Sequence, residues 1–401
     1  MKSIKQKLFY SFTVVIVSFL LLLFALFLPP VQQTIIQKVT DWFSAKTRTE
    51  LKVEHFSFSL GGSFTLTELL LRDQNADTLL YADTIQALFS PFRLYQNGKL
   101  SLDSVALSGL VVNITKLQKD SSYNFQFLLD AFPKDTLKPS RSSSFDLAIL
   151  GATLSDCRFS HHIFGGGNAA ANYSVRNINA HLKLGSIRFN HFDSQLYHLS
   201  ATDSSGLKID TLRFRFFSTG DSLLIAEDFF LTLPASQLKI PEANYSLRVD
   251  SFRGEISFAE IYLPDLKRYV SGFKEFKEPI HLSAHLEGTV PAMKIEKLNC
   301  SYGDYCYLSA QELFSSDLTD WKSADYNLSS QISFTTLFPQ FLSSKSLDIS
   351  SVFHLFPSFV QLTGEGKATD CRVKVDLLSQ EGLICCEGRL KNSFEDNWTQ
   401  F

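Results

Sequence analysis

Residues 51 to 58 read Leu51-x-Val53-x-x-Phe56-x-Phe58, with a polar residue at every x. Apolar side chains two positions apart share one face of a strand, and the step of three would send the second half to the other face. A β-bulge or a corner absorbs the extra residue and keeps both halves pointing the same way. The formula therefore describes a bent strand with one apolar side. It returns as Leu207-x-Ile209-x-x-Leu212-x-Phe214 and as Met293-x-Ile295-x-x-Leu298-x-Cys300. Looser copies are Phe64-x-Leu66-x-x-Leu69-x-Leu71, Leu100-x-Leu102-x-x-Val105-x-Leu107 and Leu238-x-Ile240-x-x-Ala243-x-Tyr245. From residue 48 onward helical periodicity is nearly absent, so the expectation is a mainly β fold.

A longer repeat lies over the formula. "ADTLLYADTIQALFSP" (76–91) comes back as "GDSLLIAEDFFLTLP" (220–234). Asp77 matches Asp221, Leu79 and Leu80 match Leu223 and Leu224, and Ala82 matches Ala226. Upstream, Phe64, Leu66, Leu69 and Leu71 align with Leu207, Ile209, Leu212 and Phe214, at an offset of 143 that becomes 144 after the turn. One residue gained in the loop explains the difference. The expected unit is a bent strand, a polar turn holding an Asp, and a second strand. Asp beside Ser or Thr suits such a turn, because these side chains bond nearby backbone. A catalytic role for Asp77 or Asp221 is the weaker reading.

Composition narrows the class. The chain has 401 residues, 45% hydrophobic and 20% charged, with net charge −3. That is globular, and it lacks the basic excess of a nucleic-acid binder. There are 37 Phe against 2 Met and 3 Trp, a bias toward β-forming aromatics.

The amino terminus carries Lys2, Lys5 and Lys7, followed by 21 uncharged residues, Leu8–Leu28. As a helix this run is about 31 Å long, the thickness of a bilayer core. A cleaved signal peptide would have a shorter apolar core and small residues at its end. Here the run ends in Phe27, Leu28, Pro29 and Pro30. The expectation is an uncleaved single-pass anchor at residues 1–28, with its amino terminus in the cytoplasm and the rest beyond the membrane. Residues 29–47 follow as a short amphipathic helix, with Val31, Ile35, Val39 and Trp42 or Phe43 at helical spacing. It suits either the membrane surface or the capping of the first strand.

Further boundaries come from composition. A first β-repeat unit is expected over 48–132, a Pro- and Ser-rich linker over 133–144 and a second unit over 145–262. A short helical segment covers 263–280, and further β-repeats run over 281–401. "FGGGNAAAN" (164–172) reads as a loop and not as a phosphate cradle, since no Lys-Ser/Thr and no helix pattern follow. The chain stops at "NWTQF" with no closing cap, and repeat arrays need one, so truncation of a longer protein is expected.

No catalytic constellation emerges. The histidines lack His-Glu-x-x-His spacing, and no Gly-x-Ser-x-Gly elbow is present. His281 and His285 could share a strand face, but ordinary polar histidines are the plainer reading. Six cysteines form no Cys-x-x-Cys pair, so a zinc site is poorly supported. Cys385 and Cys386 should point to opposite faces of a strand. A Cys300–Cys306 disulfide is an open alternative to buried free thiols. The expectation is no enzyme, no cofactor and no metal.

Several stretches together resemble the AsmA-like superfamily, nearest its TamB-like (translocation and assembly module) branch. They are the lysine-flanked anchor, "VQQTIIQKVTDWFSAKTRTELKVEHFSFSL", "LLLRDQNADTLLYADTIQALFSPFRLYQNGKLSLDSVALSGLVVNI" and "YNFQFLLDAF". "SATDSSGLKIDTLRF" and "LEGTVPAMKIEKLNC" fit the family's repeats. The match covers most of residues 1–300 and consists of apolar spacing and turns, without a catalytic signature. The resemblance implies an inner-membrane anchor, a periplasmic body and an elongated, taco-like β-groove of bent antiparallel strands with a few short helices. It implies a part in outer-membrane biogenesis, carrying phospholipid along the groove, or alternatively a scaffold for assembling outer-membrane barrel proteins. Longer members engage such barrels through a further carboxy-terminal domain not matched here.

The candidate groove-lining residues follow from the formula. They are Leu51, Val53, Phe56 and Phe58; Leu66, Leu69 and Leu71; and Leu100, Leu102, Val105 and Leu107. Leu207, Ile209, Leu212 and Phe214 continue the set, with Ile295 and Leu298. A lipid chain left in water costs on the order of 10 kcal/mol, at about 0.8 kcal/mol per CH₂. A continuous apolar trough removes that cost. The same faces could instead close on one another as a sandwich core, which the residues alone favour. An anchored enzyme such as a glycosyltransferase is the third reading, and it has no residue to carry it.

Overall fold

The computed structural model describes residues 17–18, 24–25, 27–59, 61–89, 101–117, 122–132, 148–164, 172–184, 192–220, 222–266, 277–289, 291–317, 319–320, 323–335, 358–367 and 370–391. The fold is mainly β, with mostly antiparallel strands and few helices. Contacts group the chain into two units, residues 1–187 with 197–206, and residues 188–196 with 207–401. The division falls within strand β9 (Asp193–Asp203), not at the stretch 133–144, which lies outside the described residues. Among the described residues no helix is long and apolar enough to cross a membrane. Most of the predicted anchor, Leu8–Leu28, lies outside them, as does most of the loop 164–172. Of the segment 263–280, Leu263–Leu266 form a 3-10 turn and 267–276 lie outside the described residues.

In the first unit, helix α1 (Pro29–Thr47) starts on two prolines, where the missing N–H groups cost no helical bond, and ends at Arg48 in a left-handed conformation. Strands β1 (Leu51–Phe58), β2 (Ser63–Arg72) and β3 (Thr78–Phe89) follow as an antiparallel meander. Leu51, Val53, Phe56 and Phe58 stand across from Leu71, Leu69, Leu66 and Phe64. Lys52, Glu54, His55 and Ser57 between them are exposed.

Strands β4 (Ser101–Ser108) and β5 (Val111–Leu117) are two halves of one line, both paired with β3. Between them Gly109 takes φ +60, and a Cβ there would run into the Asp83 carboxylate. On their other side they meet β6 (Ala148–Ile149) and β7 (Gly151–Phe164) in parallel. This corrects the expectation of antiparallel strands throughout. Parallel neighbours need a crossover of a dozen or more residues, usually with a helix. Residues 118–147 supply it, and helix α2 (Gln126–Ala131) lies within them. Strand β8 (Tyr173–Leu184) then returns antiparallel to β7.

Both helices fold over the row Leu51–Leu71–Leu80. Leu71, Leu79 and Phe127 form a buried cluster, with Phe43 of α1, Phe125 just before α2 and Leu128 of α2 packed on it. The adjoining turn is organised by Asp73, whose carboxylate is buried. It accepts the N–H groups of Asn75 (2.9 Å) and Asp77 (3.0 Å) and the Asn124 side-chain amide (3.3 Å). The turn acid is thus Asp73, where the sequence had pointed to Asp77.

The second unit holds a long antiparallel meander. Its strands are β10 (Lys208–Thr219), β11 (Leu223–Thr232), β12 (Gln237–Ser246), β13 (Ser251–Ile261), β14 (Ile280–Thr289), β15 (Met293–Tyr302), β16 (Cys306–Ser315), β17 (Asp325–Phe334), β18 (Phe359–Lys367), β19 (Asp370–Ser379) and β20 (Gly382–Lys391).

In five strands of the two units the step of three is taken up by one left-handed residue. Its second polar residue is left-handed at Glu68 in β2, Asp156 in β7, Asn177 in β8, Asp228 in β11 and Lys297 in β15, with φ between 51° and 53°. Asp and Asn tolerate this region better than most residues. The left-handed residue occupies one position without advancing the alternation, so the apolar side stays on one face. Where both neighbours carry the extra residue, pairing stays in step, as between β1 and β2, β2 and β3 around Glu68, β11 and β12, and β15 and β16. Where one neighbour alternates strictly, the register slips by one. Strand β14, reading Ile280-x-Leu282-x-Ala284-x-Leu286, shows a slip on both sides. Strand β17 slips against β16 between Ala310 and Glu312. The predicted bulge therefore marks the border between a kinked and a straight strand. Pro241 fits the same rule. It lies level with Asp228, where the pairing skips from Glu227–Glu242 to Phe229–Ile240, so its missing N–H leaves no ladder bond unmade.

The sequence repeat does not extend to register. Asp73–Ala76 form a turn, whereas the aligned residues Phe216–Thr219 lengthen β10. Leu80 stands across from Leu71, but Leu224 stands across from Ser218. Two phenylalanines in place of Asp and Gln favour strand over turn, which shortens the second loop.

Candidate ligand-binding face

Cross-strand pairing in the second unit carries one row without interruption. It runs Phe216, Ala226, Ala243, Gly254 and Leu286, then Ile295, Leu313, Leu328, Gly364 and Val373. A second row on the same face runs from Leu212 through Leu231, Leu238, Ala259 and Leu282. It continues through Cys300, Leu308, Ile332, Val360, Leu377 and Ile384. The other face is charged. Arg253 pairs with Glu287 (2.9 Å), Lys294 with Glu296 (2.6 Å), Lys374 with Asp376 (3.0 Å) and Arg389 with Asp370 (2.5 Å). All four pairs are substantially exposed and add little stability. Mutual hydrogen bonding raises the Lys294 pKa and lowers that of Glu296.

Among the described residues the apolar face is not sealed by protein. Leu, Ile, Val and Phe are the residues most often fully buried in a filled core. Among the described residues of the second unit, every buried apolar residue is an alanine: Ala259, Ala284, Ala310 and Ala324. The larger apolar side chains stay partly open. Two concavities lie on this face. One, of about 360 Å³, sits over Ala226, Ala243 and Gly254, walled by Phe216, Tyr245 and Phe252. The other, of about 490 Å³, sits by Gly364, walled by Ile295, Leu313, Leu328 and Val373. Small residues in the row make the room, and larger neighbours make the walls. Together they span β10 to β19, roughly 43 Å at about 4.8 Å per strand. Tyr245 keeps its polar end satisfied by donating to Asp250.

The face is chemically quiet. Among the described residues no three His, Cys, Asp or Glu side chains could share a metal ion. Every cysteine is free. Burial pushes the Cys300 and Cys306 thiols up, so both stay protonated and apolar at neutral pH. Cys386 lies across from Val375 and Cys385 across from Asp376, on opposite faces of β20.

The structure places the predicted lining residues as follows. In the first unit Leu51, Val53, Phe56 and Phe58 share a face with Leu66, Leu69 and Leu71. Val105 and Leu107 join that face through Ala87 and Ile85, Leu102 is buried, and Leu100 lies outside the described residues. In the second unit Leu212, Ile295 and Leu298 stand on the apolar face, and Phe214 stacks on Phe229 at 6.2 Å. Leu207 and Ile209 are half-buried. The kinked formula passes over Leu313, Leu328 and Val373. Plain alternation, as in Tyr326-x-Leu328-x-Ser330-x-Ile332, is the signal that finds the last two.

The first unit carries an electrostatic strain at its kink. Glu54 and Glu68 lie level on β1 and β2, with Asp83 level on β3. Glu68 titrates above the usual carboxylate range, through a hydrogen bond with Glu54 and then the negative charges of Glu54 and Asp83. A carboxyl raised in the folded state contributes stability that is complete below its unfolded pKa and lost as pH rises through the folded one. Glu68→Gln should therefore raise the urea midpoint of the first unit at pH 7 and leave it unchanged below pH ~4. An unchanged midpoint at pH 7 would contradict the pairing. No family model, curated protein or solved structure matches the chain.

Proposed function

We propose that this protein binds phospholipid acyl chains along the apolar face of its sheet and carries them across an aqueous gap, as an inner-membrane-anchored periplasmic factor of outer-membrane biogenesis. In this reading the bent strands form an elongated, taco-like groove, and Leu8–Leu28 is the single-pass anchor. The observation that carries it is the apolar face of the second unit, on which no large side chain among the described residues is buried although its two concavities are walled by Phe, Leu, Ile and Val. Each CH₂ taken from water onto such a surface stabilises the complex by about 0.8 kcal/mol, so a row with apolar side chains and no polar insertion suits an acyl chain and no soluble metabolite. The reading asks for no catalytic residue and no cofactor, and it agrees with the resemblance to AsmA-like proteins.

The test uses the full chain, carrying a photocrosslinking residue at Leu328 on the apolar face or at Glu312 on the charged one. Capture of phospholipid at Leu328 and not at Glu312 is the expected result. Equal capture at both sites, or none at either, removes the proposal. A second reading, a scaffold for outer-membrane barrel proteins, draws on β20. Among the described residues it pairs only with β19, and it exposes Leu383 and Ile384. Such an edge can accept an added strand. Crosslinks from β20 to nascent barrel strands would favour it.

A further inference from the structure

Helix α1 is amphipathic the wrong way round for a helix that serves only its own domain. Its sheet-facing side sets Phe43 on the core cluster, but the residues it fully buries are the polar Gln32, Thr40 and Thr47. Gln32 donates from Nε2 to the Phe58 carbonyl at 2.8 Å and accepts the Phe58 N–H on Oε1 at 3.1 Å, and the Gln33 amide donates to the Glu54 carbonyl at 2.9 Å. Leu28, Val31, Ile35, Val39, Trp42 and Lys46 repeat at steps of three and four, so they form one stripe along the helix. That stripe faces outward: Ile35 is 42% exposed, Val39 47% and Trp42 57%. Helix α2 widens it, with Leu129 exposed and Phe132 lying 6.1 Å from the Trp42 ring. Lys46 sits over both rings, 5.4 Å from Trp42 and 4.4 Å from Phe132. The inner side is thus held by these hydrogen bonds and by Phe43 on the Leu71–Leu79–Phe127 cluster, and among the described residues only α2 with Phe132 lies against the apolar stripe.

We infer that the α1–α2 stripe lies in the interfacial layer of a phospholipid bilayer. Two observations select lipid over a protein partner. The stripe begins at Leu28, the last residue of the uncharged run Leu8–Leu28, so a membrane that holds the run brings α1 to its surface. The stripe also joins an exposed Trp to Lys38 and Lys46, the side chains whose apolar bodies and polar ends suit the headgroup boundary. This inference rests on the anchor reading proposed above and adds the helix pair as a second, shallow contact. Its consequence is orientation: the first strands would be held at a fixed height against the bilayer, where lipid enters or leaves.

The test uses the full chain with Trp321→Phe and Trp398→Phe, leaving Trp42 as the only indole, bound to phosphatidylcholine vesicles with or without bromine on an acyl chain. Burial about 5–10 Å below the surface should give roughly twofold or greater quenching of Trp42 by the brominated lipid. Ile35→Glu with Val39→Glu, both exposed on the helix, should abolish that quenching while the chain still floats with the vesicles. A floating chain whose Trp42 is quenched by aqueous iodide and not by bromine overturns the inference alone. Shielding from both quenchers overturns it in favour of a second copy of the chain. A chain that does not float overturns the anchor reading and this one with it.

Discussion

Gly366→Val should destabilise the second unit by about 3 kcal/mol or more. Gly366 has φ +120, a conformation L side chains rarely adopt. A Cβ there would lie 2.6 Å from the Asp370 carbonyl oxygen and 3.0 Å from the Cys371 Cα. Both atoms are backbone of β19, so no rotamer change relieves the contact. Either the β18–β19 register opens or the strain stays. Urea denaturation of the full chain should show the transition of the second unit moving to lower urea while that of the first stays in place. Gly364→Ala is the control. Its Cβ would meet nothing closer than 3.7 Å, and alanine suits a strand better than glycine, so stability should hold or rise slightly. Equal effects at 364 and 366 would show that the backbone geometry described for Gly366 is wrong.

Phe127→Ala should cost the first unit about 3 kcal/mol, the low end for removing a buried phenylalanine. Phe127 is 6% exposed and completes the cluster with Leu71 and Leu79. It is also the only buried residue of α2, so the substitution removes the main apolar contact holding that helix. A six-residue helix has little stability of its own and depends on packing. The expected result is a lower unfolding midpoint of the first unit together with early hydrogen exchange of α2. Leu129→Ala, on the exposed side of the same helix, should stay within about 0.5 kcal/mol of the parent in the absence of lipid. A loss at Leu129 as large as at Phe127 would show that the helix packs through its other side.

The sequence was most legible where one strand's pattern alone decides the outcome. Leu51, Val53, Phe56 and Phe58 share a face because side-chain alternation is local. What joins strand to strand was far less legible. Nothing in "SLDSVALS" announces that β4 runs parallel to β7, because that follows from where a crossover of some thirty residues returns. The repeat at Leu79 and Leu223 suggested two like hairpins with one residue gained in the second loop, yet loop length is set by the four residues upstream, Asp-Gln-Asn-Ala in one and Phe-Phe-Ser-Thr in the other. The inversion of α1 was hidden for a related reason. Val31, Ile35, Val39 and Trp42 mark an apolar stripe, but periodicity gives a direction on the helix and not what lies in that direction. Gln32 decides it, by taking both backbone groups of Phe58.

The left-handed residues have a further consequence. In an ordinary strand, loss of one amino acid exchanges inside and outside for everything after it. Here, removing Asp228 or Lys297 would turn the formula into strict alternation, with the oily flank undisturbed. The sheet already contains the product of such a loss in β14, lodged between kinked neighbours by a one-residue slip on each side. A protein built this way can lengthen or shorten its ribbons one amino acid at a time during evolution and keep its greasy lining continuous.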